Sequence, residues 1–235
     1  MTDLSYYWYL VNTQQAPQRW CQDAANRAEL VALLRRAQRS LGLGVASFCL
    51  GVALLDRLLA RLRCPVEQLR LAACACLLLA SKYHDEDASA RASDLVRLLQ
   101  LDQRALCTAE RRVYEALGYR VAAPTAIDFV HQLCADATLL LPAKQLICIA
   151  LHEPASLDHA PLVLAAAALR VVAGWKQRVD PLGRRSHAAA LPPTAACERL
   201  LRAVAEPKPR TARPLCLPSD QTRDCSPTRT RGAVC

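Results

Sequence analysis

From Leu71 to Ala80 the chain carries only Leu, Ala and Cys, with no polar side chain anywhere in the run. Leu and Ala favour the helix, and a helix that is apolar on every face has to be enclosed by other helices. The run is far too short to cross a bilayer, which takes about 20 residues. It therefore predicts the central helix of a helical bundle, opened by Pro65 in its first turn and closed where polarity returns at Ser81-Lys82-Tyr83-His84-Asp85-Glu86-Asp87. The segments around it are amphipathic. A first helix is predicted over about Ala24 to Ser40, with Leu30, Leu33, Leu34 and Ala37 on one stripe and the Gly42 and Gly44 region as its stop. A second runs from about Val45 to Leu62 on Val45, Phe48, Cys49, Val52, Leu55 and Leu59. After the acidic break, Ser89 or Ser93 caps a short fourth helix through Leu99. Asp102 caps a fifth to about Leu117, stopped by Gly118.

A second set follows. Pro124 and Thr125 start a helix that ends near Ala135, Pro142 starts another to about Leu151, and a third spans Pro161 to Ala173. Laid under the first apolar run, that third helix places Leu164 on Leu71, Ala165 on Ala72, Ala166 on Ala73 and Ala173 on Ala80. This is an internal repeat of two bundles, each built around one Ala-rich helix. A last helix, Ala195 to Ala205, closes the second bundle. Tyr6, Tyr7, Trp8 and Tyr9 cluster in a short N-terminal element within residues 1–20, and residues 207–235 read as a disordered, basic, Pro-rich tail.

Three charges interrupt the apolar stripes. Arg27 shares a stripe with Leu30 and Leu34, Asp56 with Val52 and Leu59, and Glu110 with Leu106, Val113 and Leu117. A charge on a buried stripe is costly unless paired. Arg27 and Asp56 have opposite signs on consecutive helices, so an internal ion pair that fixes their register is the economical reading. Lys82, at the mouth of the central helix, can meet Glu110. It has a plainer explanation as well, as a cation at a helix C-terminus.

Composition narrows the class. Seven glycines in 235 residues, abundant Leu and Ala and no strand-type alternation predict an all-α protein. The net charge of +9 is spread along the chain, so a basic solvated surface explains it without nucleic acid. The opening MTDLSYYWYL has neither a basic start nor a long apolar core, which argues against a signal peptide. Five of the twelve cysteines (Cys49, Cys74, Cys76, Cys107, Cys148) sit in helical apolar runs, and no CxxC pair occurs. The expectation is a reducing, intracellular setting, nucleus or cytoplasm, with free thiols, no metal and no cofactor. No Gly-rich phosphate loop, HExxH or GxSxG is present, so no catalytic role is expected.

Four ordered motifs resemble the cyclin box. NRAEL (Asn26 to Leu30) stands where cyclins carry their MRAIL segment, and LLDRLL (Leu54 to Leu59) is similar to the family's LDRFL. ACACLLLASKY followed by acids resembles the run that bears the family's Lys. AERRVYEALGYRVAAPTAIDFV (Ala109 to Val130) resembles the segment that joins the two cyclin folds, and LDHAPLVLAAAAL the Ala-rich helix of the second. The resemblance implies tandem cyclin-fold five-helix bundles, a cyclin box at 21–122 and a divergent second fold at 123–206. It implies a regulatory subunit that binds and activates a cyclin-dependent protein kinase through its third and fifth helices. Lys82 and Glu110 match the residues that hold the kinase's mobile helix, and Arg27 and Asp56 match the family's buried pair.

The departures concern substrate docking. The family's groove is apolar and includes a Trp, whereas the matching positions here hold Asn26, Glu29, Leu30, Leu33 and Arg36, with Leu69 and Arg70 from the third helix. Only the leucines keep the character of an RxL-binding patch. The short N-terminus resembles D-type or viral cyclins more than mitotic ones. In the tail, Ser226-Pro227-Thr228-Arg229 fits the Ser-Pro-x-basic pattern of a phosphosite. Two alternatives to the kinase partner remain: a nucleic-acid-binding factor of the transcription-factor IIB kind, which shares the tandem fold, and a scaffold that activates nothing.

Overall fold

The computed structural model describes residues 24–84, 88–179 and 194–206. The aromatic segment expected within residues 1–20, the acids Asp85–Asp87 and the tail with Ser226 lie outside the described residues. Within them every regular element is helical: α1 (Ala24–Ser40), α2 (Val45–Arg61), α3 (Val66–His84), α4 (Ala88–Leu99), α5 (Gln103–Ala116), α6 (Ala126–Leu133), α7 (Ala137–Ala150), a 3-10 turn (Pro154–Asp158), α8 (Pro161–Val179) and α9 (Ala195–Ala205). None of these helices is long and apolar enough to cross a membrane.

The stops are where backbone chemistry requires them. Gly42 and Gly118 take φ of +62° and +63°, the left-handed region that costs glycine nothing. The Asp102 carboxylate accepts from Ala105 N at 2.7 Å and caps α5. Thr125 and Asp128 close a reciprocal capping box at the start of α6.

Three boundaries differ from the pattern reading. The seventh helix starts at Ala137 rather than Pro142, because Asp136 caps it by accepting from Thr138 N at 2.9 Å. Pro142 then sits inside the helix, where its missing N–H leaves one bond out. The fourth begins at Ala88, so Ser89 and Ser93 lie within it rather than ahead of it. α8 runs past Ala173 to Val179, since Gly174 weakens a helix without having to end it.

α3 is the hub of the first half. It packs against α2, α5, α4 and α1 and buries every residue from Ala72 to Ser81. The small side chains are what permit this. Gly51 stands where α2 meets α3, and a Cβ there would lie 3.3 Å from Leu77 Cα. Gly51→Leu is expected to destabilise the protein by about 1–3 kcal/mol by overpacking this crossing. The urea midpoint should fall accordingly, and an unchanged midpoint would mean that the two helices can separate freely.

In the second half α8 packs against α6, α7 and α9, with Leu164 to Leu169 buried. The halves meet where α2 touches α6 and α7, and where α1 touches the 3-10 turn. The apolar core runs continuously through both.

Candidate functional site

Glu110 occupies the rim of the α5 stripe whose other members, Leu106, Val113 and Leu117, are buried. Lys82 lies in the last turn of α3, the helix against which that stripe packs. The two meet: Lys82 Nζ is 2.5 Å from Glu110 Oε1. The Lys82 side chain remains 42% exposed and that of Glu110 16%. The pair is therefore formed at the surface, open to an incoming partner on the lysine side and backed by the core on the other.

Aromatic groups stand beside it. Tyr83, Tyr114 and Tyr119 are all exposed, and Tyr114 and Tyr119 meet edge to face at 5.1 Å. With Lys82, Leu79 and Arg57 they line a cleft of about 1130 Å³ that runs towards the segment joining the two halves. Tyrosine is enriched at protein-binding surfaces, whereas lysine and glutamate are depleted there. No group of three or more His, Cys, Asp or Glu side chains placed to hold a metal ion occurs among the described residues.

Beneath this surface lies the second pair. Arg27 Nε donates to Asp56 Oδ1 and Nη2 to Oδ2, both at 2.9 Å, and the Arg27 side chain is 1% exposed. Arg27 Nη1 crosses to the second half and donates to the carbonyls of Leu151 at 2.7 Å and Glu153 at 3.4 Å. Four of the five guanidinium N–H groups are thus used, the condition under which a buried arginine is tolerated.

Arg57, which the stripe pattern did not single out, is buried next to Asp56. Its Nη1 donates to Arg120 O at 3.1 Å and ties α2 to the joining segment. Its Nε is without a partner among the described residues, and burial lowers its pKa, with Arg61 and Arg120 adding to the effect. The sequence clue was its place beside Asp56 in LLDRLL, yet its acceptor is a backbone carbonyl that no side-chain pattern marks.

The buried thiols of Cys74 and Cys76 behave as small apolar groups, whereas Cys107, expected in an apolar run, is exposed. Burial raises the pKa of Cys76 and pushes Cys74 up to about 12, so neither is a nucleophile at neutral pH.

The seven positions of the substrate-docking patch separate by burial. Leu30, Leu33 and Leu69 are core residues, packed under the surface rather than offered on it. Asn26 is half-buried, and Glu29, Arg36 and Arg70 are exposed. Arg70 spends Nη2 on the Leu99 carbonyl at 2.9 Å. What the patch presents to solvent is charge. An RxL peptide is expected to bind no tighter than millimolar, since its leucine would have to desolvate Glu29 and Arg36. Micromolar affinity in a fluorescence titration would overturn this.

The family profile described as Cyclin, N-terminal domain matches residues 6–122. Among solved structures, a viral cyclin from herpesvirus saimiri superposes with a TM-score of 0.68. It is 23% identical in sequence, and the alignment covers 83% of this chain and 88% of that one. The comparison with curated proteins finds no match.

Proposed function

The chain is a cyclin-box protein, and from that premise we propose that it is the regulatory subunit of a cyclin-dependent protein kinase, binding and activating the catalytic subunit through Lys82 and Glu110. The observation that carries this reading is the geometry of that pair. Two residues from the third and fifth helices meet at the surface, the lysine sharing a cleft with three exposed tyrosines.

In this reading the ammonium of Lys82 and the carboxylate of Glu110 satisfy backbone groups of the kinase and seat its mobile helix. That helix carries the glutamate that must stand opposite the kinase's own lysine before phosphoryl transfer is possible. The chain contributes position and no reacting group. Residues 123–206 are read as a divergent second cyclin fold that buttresses the first, of the D-type or viral kind. Nucleic acid and membrane play no part, and the nucleus and cytoplasm, where such kinases act, are the expected locations.

The test is direct. The purified chain is mixed with each of a panel of purified cyclin-dependent kinases, and co-elution and phosphorylation of a histone substrate are measured. Binding with stimulated phosphorylation is the expected result. Binding without stimulation would favour a scaffold. No binding to any kinase together with a retarded DNA probe would favour the nucleic-acid reading.

A further inference from the structure

A second hollow, of about 530 Å³, opens between α1 and the end of α7. Arg35, Arg36 and Arg39 line it from α1, and Gln145, Ile149 and His152 from the other side. It is built from beneath. The buried ring of Phe48 has the Arg35 guanidinium 5.1 Å from its centre and the His152 ring stacked at 6.5 Å, while Arg35 Nη1 also donates to Gln38 Oε1 at 2.8 Å. Arg36 and Arg39 are exposed and make no side-chain hydrogen bond or ion pair among the described residues.

Three cations within about one helical turn repel one another, and no carboxylate lines the hollow to offset them, the thiol of Cys148 being its one weakly acidic group. Burial lowers the pKa of His152, and Arg35, Arg27 and Arg39 lower it further against the opposing effect of Glu153. A dianion placed here would relieve the repulsion among the cations. The volume falls within the range of about 300–1,000 Å³ typical of sites for small groups. Ile149, 49% exposed, adds an apolar wall beside the cations. A nucleic acid repeats its charge along a strand and needs cations that follow it, whereas these line a single hollow next to an apolar side chain. That combination suits a phosphorylated side chain with an apolar neighbour.

We propose that this hollow binds a phosphoserine or phosphothreonine side chain of a partner protein, with Arg36 and Arg39 closing on the phosphoryl oxygens over Arg35 and Ile149 contacting the adjacent residue. The site is separate from Lys82 and Glu110 and does not depend on a kinase partner.

The test uses the full chain and a fluorescent peptide mixture that is degenerate except for a central phosphoserine. The same mixture without phosphate, inorganic phosphate and a labelled single-stranded oligonucleotide serve as comparisons. The phosphorylated mixture is expected to bind about tenfold or more tighter than the unphosphorylated one. It should also shift the ring signals of His152 in NMR spectra. Arg36→Gln with Arg39→Gln should abolish the difference with the helical spectrum intact, and Arg112→Gln, an exposed change on α5, should not. Equal affinity for the two peptide mixtures, or equal loss in the Arg112 variant, would overturn the proposal. So would inorganic phosphate that binds as tightly as the peptides, which would leave a free anion as the ligand. Tighter binding of the oligonucleotide, lost in the same double variant, would overturn it in favour of nucleic acid.

Discussion

Alanine at Lys82 or Glu110 is expected to weaken kinase capture about thirtyfold or more, with the helical circular dichroism spectrum unchanged. Kinase–regulator interfaces of this kind bury more than about 2,000 Å² in total, and truncating a desolvated, hydrogen-bonded charge within one costs about 2–5 kcal/mol. The two residues touch at 2.5 Å, so their effects are not independent. The double variant should lose less than the sum of the two singles, because each single already strands its partner. Stability should change little, since the Lys82 side chain is 42% exposed and a pair open to solvent on one side is worth only about 0–1 kcal/mol. The contrast between affinity and stability is the test. Loss of fold in both singles would make the pair a structural element of the bundle rather than part of an interface. Folded variants that bind and activate as well as wild type would remove the pair from the interface and leave the fold untouched.

The second large effect is expected at Arg27. Arg27→Ala removes the bidentate partner of Asp56 and leaves that carboxylate buried, a change that costs about 3–5 kcal/mol. For a chain of this size that corresponds to a fall in Tm of roughly 6–20 °C. Combining it with Asp56→Ala should give less than the sum of the singles, because the second change removes the charge stranded by the first. A melt of the single variant within a degree or two of wild type would contradict the geometry.

The pairing was legible because a charge on an apolar stripe has few affordable explanations, and two of opposite sign on neighbouring helices have one. The same logic could not reach the carbonyls of Leu151 and Glu153, to which Arg27 also donates, since every residue carries a carbonyl and nothing in a side chain marks the one that is used. Helix ends were legible where one residue decides them. Gly42, Gly118 and Asp102 act as the pattern reading expects. Pro142 misled because proline is favoured in a first turn, while the aspartate that does the capping lies further back, at Asp136. The docking-patch leucines show a different limit. Helical spacing puts Leu30 and Leu33 on faces of α1 without saying how many of those faces are covered. α1 is flanked by α2, α3 and the 3-10 turn, so both leucines are enclosed.

The reach of Arg27 has a consequence for the order in which the protein is made. Asp56 follows Arg27 by 29 residues, and Leu151 and Glu153 by 124 and 126. At about 5–20 residues per second, the ribosome delivers those carbonyls roughly 5–20 s after the aspartate. Throughout that interval the emerging N-terminal half holds a cation whose Nη1 still needs water or a chaperone for company. A chain released early therefore keeps open the donor that, in the finished molecule, ties the first half to the carbonyls of Leu151 and Glu153.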